Sequence, residues 1–449
     1  MNLDPQVWPA STRPGPDGAV GVGGVDLRAL AAEHGTPAFV IDEADFRARA
    51  RTFATGFAAA FGERGMAVDV YYAGKAFLCT AVARWAHSEG LRIDTATGGE
   101  LAVALRAGIP GADIGLHGNN KSDAEIARAL DAGVGRIVID SLSEVQRVAD
   151  AARSRGVGPV PVMVRATTGV HAGGHEFVAT AHEDQKFGLS IAGGQAMAAL
   201  RAALGRPELA LVGIHSHIGS QILDPAGFEV AARAVLELRA ELFAATGHLL
   251  PEVDLGGGFG IAYLPGEVPL DPLRVAKGVA GVVDETCAAL GTPLPRISIE
   301  PGRAIVGPTT LTLYTVGTVK PVVVDERLTR LYVSVDGGMS DNVRPALYGA
   351  RYTAALVSRA GASDLVPARV VGKHCESGDV VVHDVDLPAD IAPGDLLAVP
   401  ATGAYGRSMA SNYNHVPRPP VVAVRDGATR VIVRRETEDD LLALDVGWG

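Results

Sequence analysis

The segment YYAGKAFL, residues 71–78, sets a single lysine, Lys75, among aromatic and small residues at the end of an apolar run. An amine there is either a surface charge at a strand end or a nucleophile whose neutral form reacts. The segment contains no acid to neutralise it, as expected for the second reading. Further along, DLGGGFG (254–260) holds three consecutive glycines, Gly256 to Gly258. Such a run is either a tight turn with positive φ or a loop whose backbone N–H groups meet an anion with no side chain in the way. Ser220, in HSHIGSQ, can add a hydroxyl to the same anion, and Glu300, in EPGR, can face a ring nitrogen. A lysine, an anion cradle and a carboxylate for a pyridine nitrogen are together what pyridoxal 5'-phosphate requires. His217 is expected to pack flat against the ring. Two other chemistries fail on spacing. His175 and His182 in HEFVATAH are seven apart, not the four of a metalloprotease helix, and the glycine run does not fit G-x-G-x-x-G.

Bulk properties narrow the class. The chain has 449 residues, enough for one large domain and a smaller one. It is 47% hydrophobic and 20% charged, so a large core is available. A net charge of −11 argues against nucleic acid as the partner. No basic and apolar leader opens the sequence, and no apolar run reaches the ~20 residues that span a bilayer. Its three cysteines, Cys79, Cys287 and Cys375, lie far apart, which predicts neither disulfides nor a zinc cluster and suits a reducing cytoplasm.

These residues must be positioned by the elements around them. VDVYYA, LRIDTA, DIGLHG, RIVID, PVMVRA, LALVGIHSH, EVDLGG and RISIEP are short buried-type strands. Amphipathic segments such as SDAEIARALDAG and SLSEVQRVADAARSRG separate them, each stopped by glycine. Eight such units over roughly 250 residues predict a (β/α)8 barrel, with an open doubly wound sheet as the alternative. The strand ends then bring together Lys75, Asp94, His117, Asp140, Arg165, His215, His217, the glycine run and Glu300. Asp140 reads as a cap for the following helix, and Arg165 as a possible buried ion-pair partner. After Gly302 the pattern turns to period two, in segments such as TRLYVSVDGG and DVVVHDVDL, which predicts a β-rich domain. The expected division is an N-terminal segment 1–43 that joins the β domain through TPAFVID, a barrel over 44–308, and the β domain over 309–449.

YAGKAFL, DTATGGEL, LHGNNKS, HEFVATAHEDQKFGLS, HSHIGSQ, DLGGGFGI, EPGR, DGGMSDNVRPALYGARY, CESGD and GAYGRSMASNYN together resemble the diaminopimelate decarboxylase family, within the pyridoxal-dependent enzymes of alanine-racemase fold. The likeness runs from about Phe39 to about Asp445; CESGD and DNVRPALYGARY are its most specific parts. His415, after NYN, departs from the family's usual run.

The resemblance implies roles for particular residues. Lys75 links covalently to the cofactor, His217 stacks on its ring, and Asp94 is among the cofactor-binding residues. Ser220, Gly257 and Gly258 hold the phosphate with the segment Glu300–Gly302–Arg303, and Glu300 meets the pyridine nitrogen. Arg303, Arg344 and Tyr348 bind the substrate's distal carboxylate, Glu376 its distal amine, and Tyr405 touches both cofactor and substrate. Cys375 returns the proton, and acids beside a thiol favour its protonated form. Without the CESGD context such a cysteine would read as core filler, and Arg344 as a solvated loop arginine that Tyr348 could turn into a carboxylate fork. Cys375 and Glu376 reach the site from a second subunit, so a homodimer with shared sites is implied.

The reaction expected is decarboxylation of meso-2,6-diaminopimelate to L-lysine and CO2, the last step of lysine biosynthesis, with no nucleic acid, membrane or metal involved. The alternatives are decarboxylation of ornithine, lysine or arginine, a racemase of this fold, and a non-catalytic pyridoxal phosphate carrier. A carrier would need no proton donor.

Overall fold

The computed structural model describes residues 3–169, 186–326 and 328–447. The HEFVATAHEDQ segment, with His175 and His182, lies outside the described residues. The chain divides into two compact units, one of Arg49–Gly260 and Leu270–Gly302, the other of Met1–Ala48, Ile261–Pro269 and Arg303–Gly449.

The first unit is a closed parallel barrel. Its strands are β1 (Val68–Ala73), β2 (Arg92–Thr95), β3 (Ile114–Leu116), β4 (Arg136–Ile139), β5 (Val160–Thr167), β6 (Leu209–His215), β7 (Glu252–Asp254) and β8 (Arg296–Ile299). Each pairs with the next, and β8 pairs with β1, so no open doubly wound edge remains. Apolar runs such as RIVI in β4 are buried throughout, as strands covered on both faces must be. The helices between them stop where glycine was expected to stop them. Asp123–Ala132 starts with a Ser122–Glu125 capping box and ends at left-handed Gly133. Leu142–Arg155 starts at Ser141 and ends at left-handed Gly156.

Inside the barrel a charged group crosses from one wall to the other. Arg136 opens β4, is almost wholly buried, and donates to Asp254 Oδ2 on β7 and to Ser298 Oγ on β8 at 2.8 Å. Its guanidinium also lies 3.8 Å over the Tyr71 ring on β1. Four strands are thus joined through one side chain.

The second unit is a β-sheet built around an N-terminal strand. TPAFVID forms the strand Ala38–Asp42, antiparallel to Thr310–Val323 on one side and parallel to Val421–Arg425 on the other. Thr329–Val335, Leu365–Val371 and Val380–Pro388 extend the sheet outward from Thr310–Val323. Val40, Leu311, Leu313, Val333, Val370 and Val422 share one buried apolar cluster there. Their alternation with polar neighbours is the period-two pattern read from the sequence.

Removing one partner of a buried ion pair strands the other's charge, at a cost of about 3–5 kcal/mol. Arg136→Met should therefore lower unfolding free energy by about that amount in urea denaturation. A change below ~1 kcal/mol would show that the cross-barrel pair is dispensable.

Candidate active site

The barrel residues converge where the strands end. β1 pairs with β2 in a register that sets Ala73 opposite Asp94, so Lys75, two residues on, comes beside that acid. Lys75 Nζ is 3.8 Å from Asp94 Oδ2. The expectation that no acid compensates Lys75 is thereby corrected, because the acid comes from the adjacent strand and not from the lysine's own segment. Burial opposes ionisation of Asp94, but His117, Lys75 and Arg136 outweigh it and hold the carboxyl well below the usual carboxylate range.

A second carboxylate lies across the same cluster. Glu300 directly follows β8 and is buried. Its Oε1 stands 3.2 Å from His117 Nε2, 3.3 Å from His215 Nε2 and 3.8 Å from Arg136 Nη2. His117 Nε2 is also 2.8 Å from Asp94 Oδ1. Burial pushes His215 well below its ordinary value, so it is neutral. His117, His215 and Glu300 bring three ligand atoms within 4.8 Å of one another. Arg136 already supplies positive charge there, so the cluster suits an N–H donor better than a metal ion. Asp94 Oδ1, His117 Nε2, both His215 ring nitrogens and Glu300 Oε1 are buried without an in-line hydrogen bond. Buried polar atoms in that state call for a partner, and a pyridine ring with a protonated nitrogen fits this donor set.

The glycine run is shaped by close approach as well as by φ. A Cβ on Gly256, Gly257 or Gly258 would meet the backbone oxygen of Ser216, Glu300 or Gly219 at 2.5, 2.2 or 2.6 Å. Gly256 and Gly258 also take positive φ, as the tight-turn reading expects. Not all its amides face outward, however. Gly256 N donates to Asp254 Oδ1 at 2.7 Å and Gly257 N to His217 Nδ1 at 3.2 Å. The anion-holding capacity therefore narrows to the Gly258 amide, while Gly257 fixes the His217 ring. With Nδ1 accepting and burial driving its pKa well down, His217 is neutral and carries its proton on Nε2. Ser220 is exposed on the loop after β6, and Gly302 lies where a Cβ would stand 2.8 Å from Ala73 O.

Two strand-end readings resolve differently. Asp140 does not cap the next helix; Ser141 does, and Asp140 Oδ1 instead accepts from Gly188 N at 2.9 Å. Arg165 is the ion-pair partner expected, 3.8 Å from Asp140 Oδ2.

The β unit assembles the remaining residues on its own framework. Arg303 donates to the Tyr263 hydroxyl and lies 4.7 Å from the Tyr405 ring. Arg344, expected in a loop, opens the short helix Arg344–Tyr348 and is buried. It donates to Tyr352 OH and packs 4.8 Å from the Tyr263 ring. Its phenol neighbours are thus Tyr352 and Tyr263, whereas Tyr348 is 52% exposed at the helix end. Burial outweighs the pull of Arg344 and pushes Tyr352 up to about 12, which keeps it a neutral phenol. Both tyrosines went unassigned from sequence, although Tyr352 closes DNVRPALYGARY and Tyr263 follows DLGGGFGI by two residues; an arginine needing aromatic walls was the available signal.

Cys375 and Glu376 are exposed, but their loop is fixed. Buried Asp379 accepts from Met339 N at 2.6 Å and from His374 N at 2.8 Å. Glycine is required beside it, since a Cβ on Gly338 or Gly372 would come within 2.5 or 2.2 Å of its carboxylate. His374 Nε2 meets Ser340 Oγ at 2.8 Å, and Cys375 N donates to Asn414 Oδ1 at 3.1 Å. The Glu376 carboxylate accepts from Ser377 and Gly378 of the same loop.

A barrel whose strand ends bring together a lysine with a paired acid, a histidine held by a glycine loop and a second buried carboxylate suits a pyridoxal phosphate enzyme. The family model for the pyridoxal binding domain of pyridoxal-dependent decarboxylases matches residues 43–307. The chain is 53% identical to the diaminopimelate decarboxylase of Mycobacterium tuberculosis, over 99% of each chain, and 42% identical to that of Bacillus subtilis, over 97% of each. The crystal structure of the diaminopimelate decarboxylase from M. jannaschii in complex with L-lysine superposes with a TM-score of 0.87 at 30% identity, covering 97% of this chain and 98% of that one. The chain belongs to the diaminopimelate decarboxylases, and its cofactor is pyridoxal 5'-phosphate.

An alanine at 257 would force Glu300 or the loop to shift, an overpacking cost of about 1–3 kcal/mol. Gly257→Ala should weaken cofactor binding by roughly 5- to 150-fold, read by titrating apoprotein with pyridoxal phosphate. Unchanged affinity would show that the tight approach at Gly257 has no bearing on the cofactor.

Proposed function

We infer that the chain converts meso-2,6-diaminopimelate to L-lysine and CO2, the closing step of lysine biosynthesis. The observation that carries this reading is Arg344, a buried guanidinium seated on phenols with no carboxylate within ion-pair distance among the described residues. A buried arginine is normally paired, and a substrate with a second carboxylate would supply the missing charge. Substrates ending in a bare ammonium, such as lysine or ornithine, would not.

When bound, pyridoxal phosphate supplies the electron sink that makes loss of CO2 from an amino acid feasible. Lys75 would hold the cofactor covalently, with Asp94 beside its amine, and His217 would lie against the ring face. Glu300 would meet the ring nitrogen. Gly258 and Ser220 would take the phosphate, with Gly257 and the Gly302–Arg303 segment closing around it. Arg303, Arg344 and Tyr348 would orient the distal carboxylate, Glu376 the distal amine, and Tyr405 would contact both cofactor and substrate. Cys375 would return a proton from Sγ to Cα. In this scheme 44–308 carries the cofactor, and 309–449, joined by 1–43, carries the groups that select the substrate.

Cys375, Glu376 and Tyr348 are exposed on their own chain while the loop of the first two is held rigid. That combination supports a homodimer in which each copy completes the other's site. Three cysteines without a disulfide support a cytoplasmic location.

Truncating an arginine that pairs a buried carboxylate costs about 2–5 kcal/mol. Arg344→Ala should therefore lose roughly 30- to 5,000-fold in kcat/KM for diaminopimelate and keep the absorbance of bound cofactor. The unmutated protein should prefer diaminopimelate over lysine by about 10⁴-fold. Comparable kcat/KM for the two would promote a general basic amino-acid decarboxylase instead.

Sharing of sites has its own test. Inactive Lys75→Ala and inactive Cys375→Ala chains, mixed under conditions of subunit exchange, should recover activity through hybrids with one whole site. No recovery despite demonstrated exchange would return Cys375 to its own chain's site, or to none.

A further inference from the structure

Among the described residues, His117 sets one atom close to both buried carboxylates of the barrel cluster. Its Nε2 lies 2.8 Å from Asp94 Oδ1 and 3.2 Å from Glu300 Oε1, and all three side chains are buried. Asp94 turns its other oxygen to Lys75, at 3.8 Å. The order Lys75, Asp94, His117, Glu300 therefore runs from the reactive amine to the acid read as the ring-nitrogen partner.

The neighbours leave this place to His117. His215 also approaches Glu300 Oε1, at 3.3 Å, but burial keeps it neutral and it lies edge-on to His117, 5.0 Å between ring centres. Arg136 stands 3.8 Å from Glu300 but spends its hydrogen bonds on Asp254 and Ser298. Arg165 is directed to Asp140, at 3.8 Å. His117 Nε2 is therefore the atom placed to bridge the two carboxylates.

We propose that His117 is a positioning residue whose Nε2–H, placed between Asp94 and Glu300, holds the Glu300 carboxylate at the cofactor's ring nitrogen. The proposal rests on the reading of Glu300 as the ring-nitrogen partner. Without that N–H, Glu300 can turn away from the ring. The ring nitrogen then loses its carboxylate partner and the ring becomes a weaker electron sink.

Side-chain reach gives the test. A glutamine amide nitrogen falls near the position of Nε2, whereas an asparagine amide ends one bond shorter, near Nδ1. His117→Gln should keep the function and His117→Asn should lose it, although both are polar and of similar bulk. The readout is the ¹⁵N chemical shift of pyridoxal phosphate labelled at its ring nitrogen and bound to each holoenzyme at neutral pH. The unmutated protein and His117→Gln should show the protonated shift, and His117→Asn a shift moved toward the unprotonated value. In parallel, kcat should fall about 10²-fold or more in His117→Asn and less than about fivefold in His117→Gln, with KM nearly constant.

Glu300→Gln separates the two layers of inference. If its ring-nitrogen shift matches that of the unmutated protein, the reading of Glu300 is wrong. If Glu300→Gln moves the shift while His117→Asn does not, Glu300 stands and the role of His117 is overturned. Equal losses in His117→Asn and His117→Gln would likewise overturn it, since they would follow from packing and not from the N–H.

Discussion

The cross-barrel contact between Arg136 and Asp254 is the interaction on which the barrel's chemistry depends. A charge in a barrel core is costly unless paired and hydrogen-bonded, and here both carboxylate oxygens of Asp254 are engaged. One takes the guanidinium of Arg136 and the other the amide of Gly256. The interior pair therefore reaches the rim directly and sets the start of the glycine loop. The loop in turn fixes the His217 ring through Gly257 and accepts the Glu300 amide at Gly256 O. His217 and Glu300 are thus anchored to the same buried charge.

The β unit solves a related problem with a different device. Its reactive-looking residues, Cys375 and Glu376, are exposed, and exposed loops ordinarily drift. Asp379 prevents this by accepting main-chain N–H groups from two segments, one leading to Cys375 and one leading toward Arg344. Because the clamp uses backbone donors, the side chains of the loop are left to contact something else. Arg344 is steadied not by an acid but by phenols, which hold a guanidinium without neutralising it.

Most of this architecture was legible in the sequence. The eight apolar runs read as barrel strands are β1 to β8, and closure alone was undecidable from pattern, because a parallel barrel and an open sheet share the same alternation. TPAFVID was placed correctly in the β sheet from composition and position. What stayed hidden arises across strands. The partner of Lys75 is Asp94 on β2, visible only once the register sets Ala73 against it. The capping role assigned to Asp140 failed because Ser141, one residue later, has the favourable extended backbone. Tyr263 and Tyr352 were missed because a tyrosine next to an arginine in space need not be next to it in the chain. Tyr348 was nearer in sequence and is not in that contact.

The position of Ala38–Asp42 in the middle of its sheet bears on the order in which the polypeptide is made. A chain growing from its N-terminus completes this strand early, but its neighbours, Thr310–Val323 and Val421–Arg425, come only after every barrel strand has emerged. The barrel can pair each new strand with the one before it and close on β8. The N-terminal strand, apolar and buried in the finished fold, must wait with both edges open for most of translation, the state in which β segments are most prone to stick to other chains. Its brevity, five residues, limits how much edge is exposed during that wait.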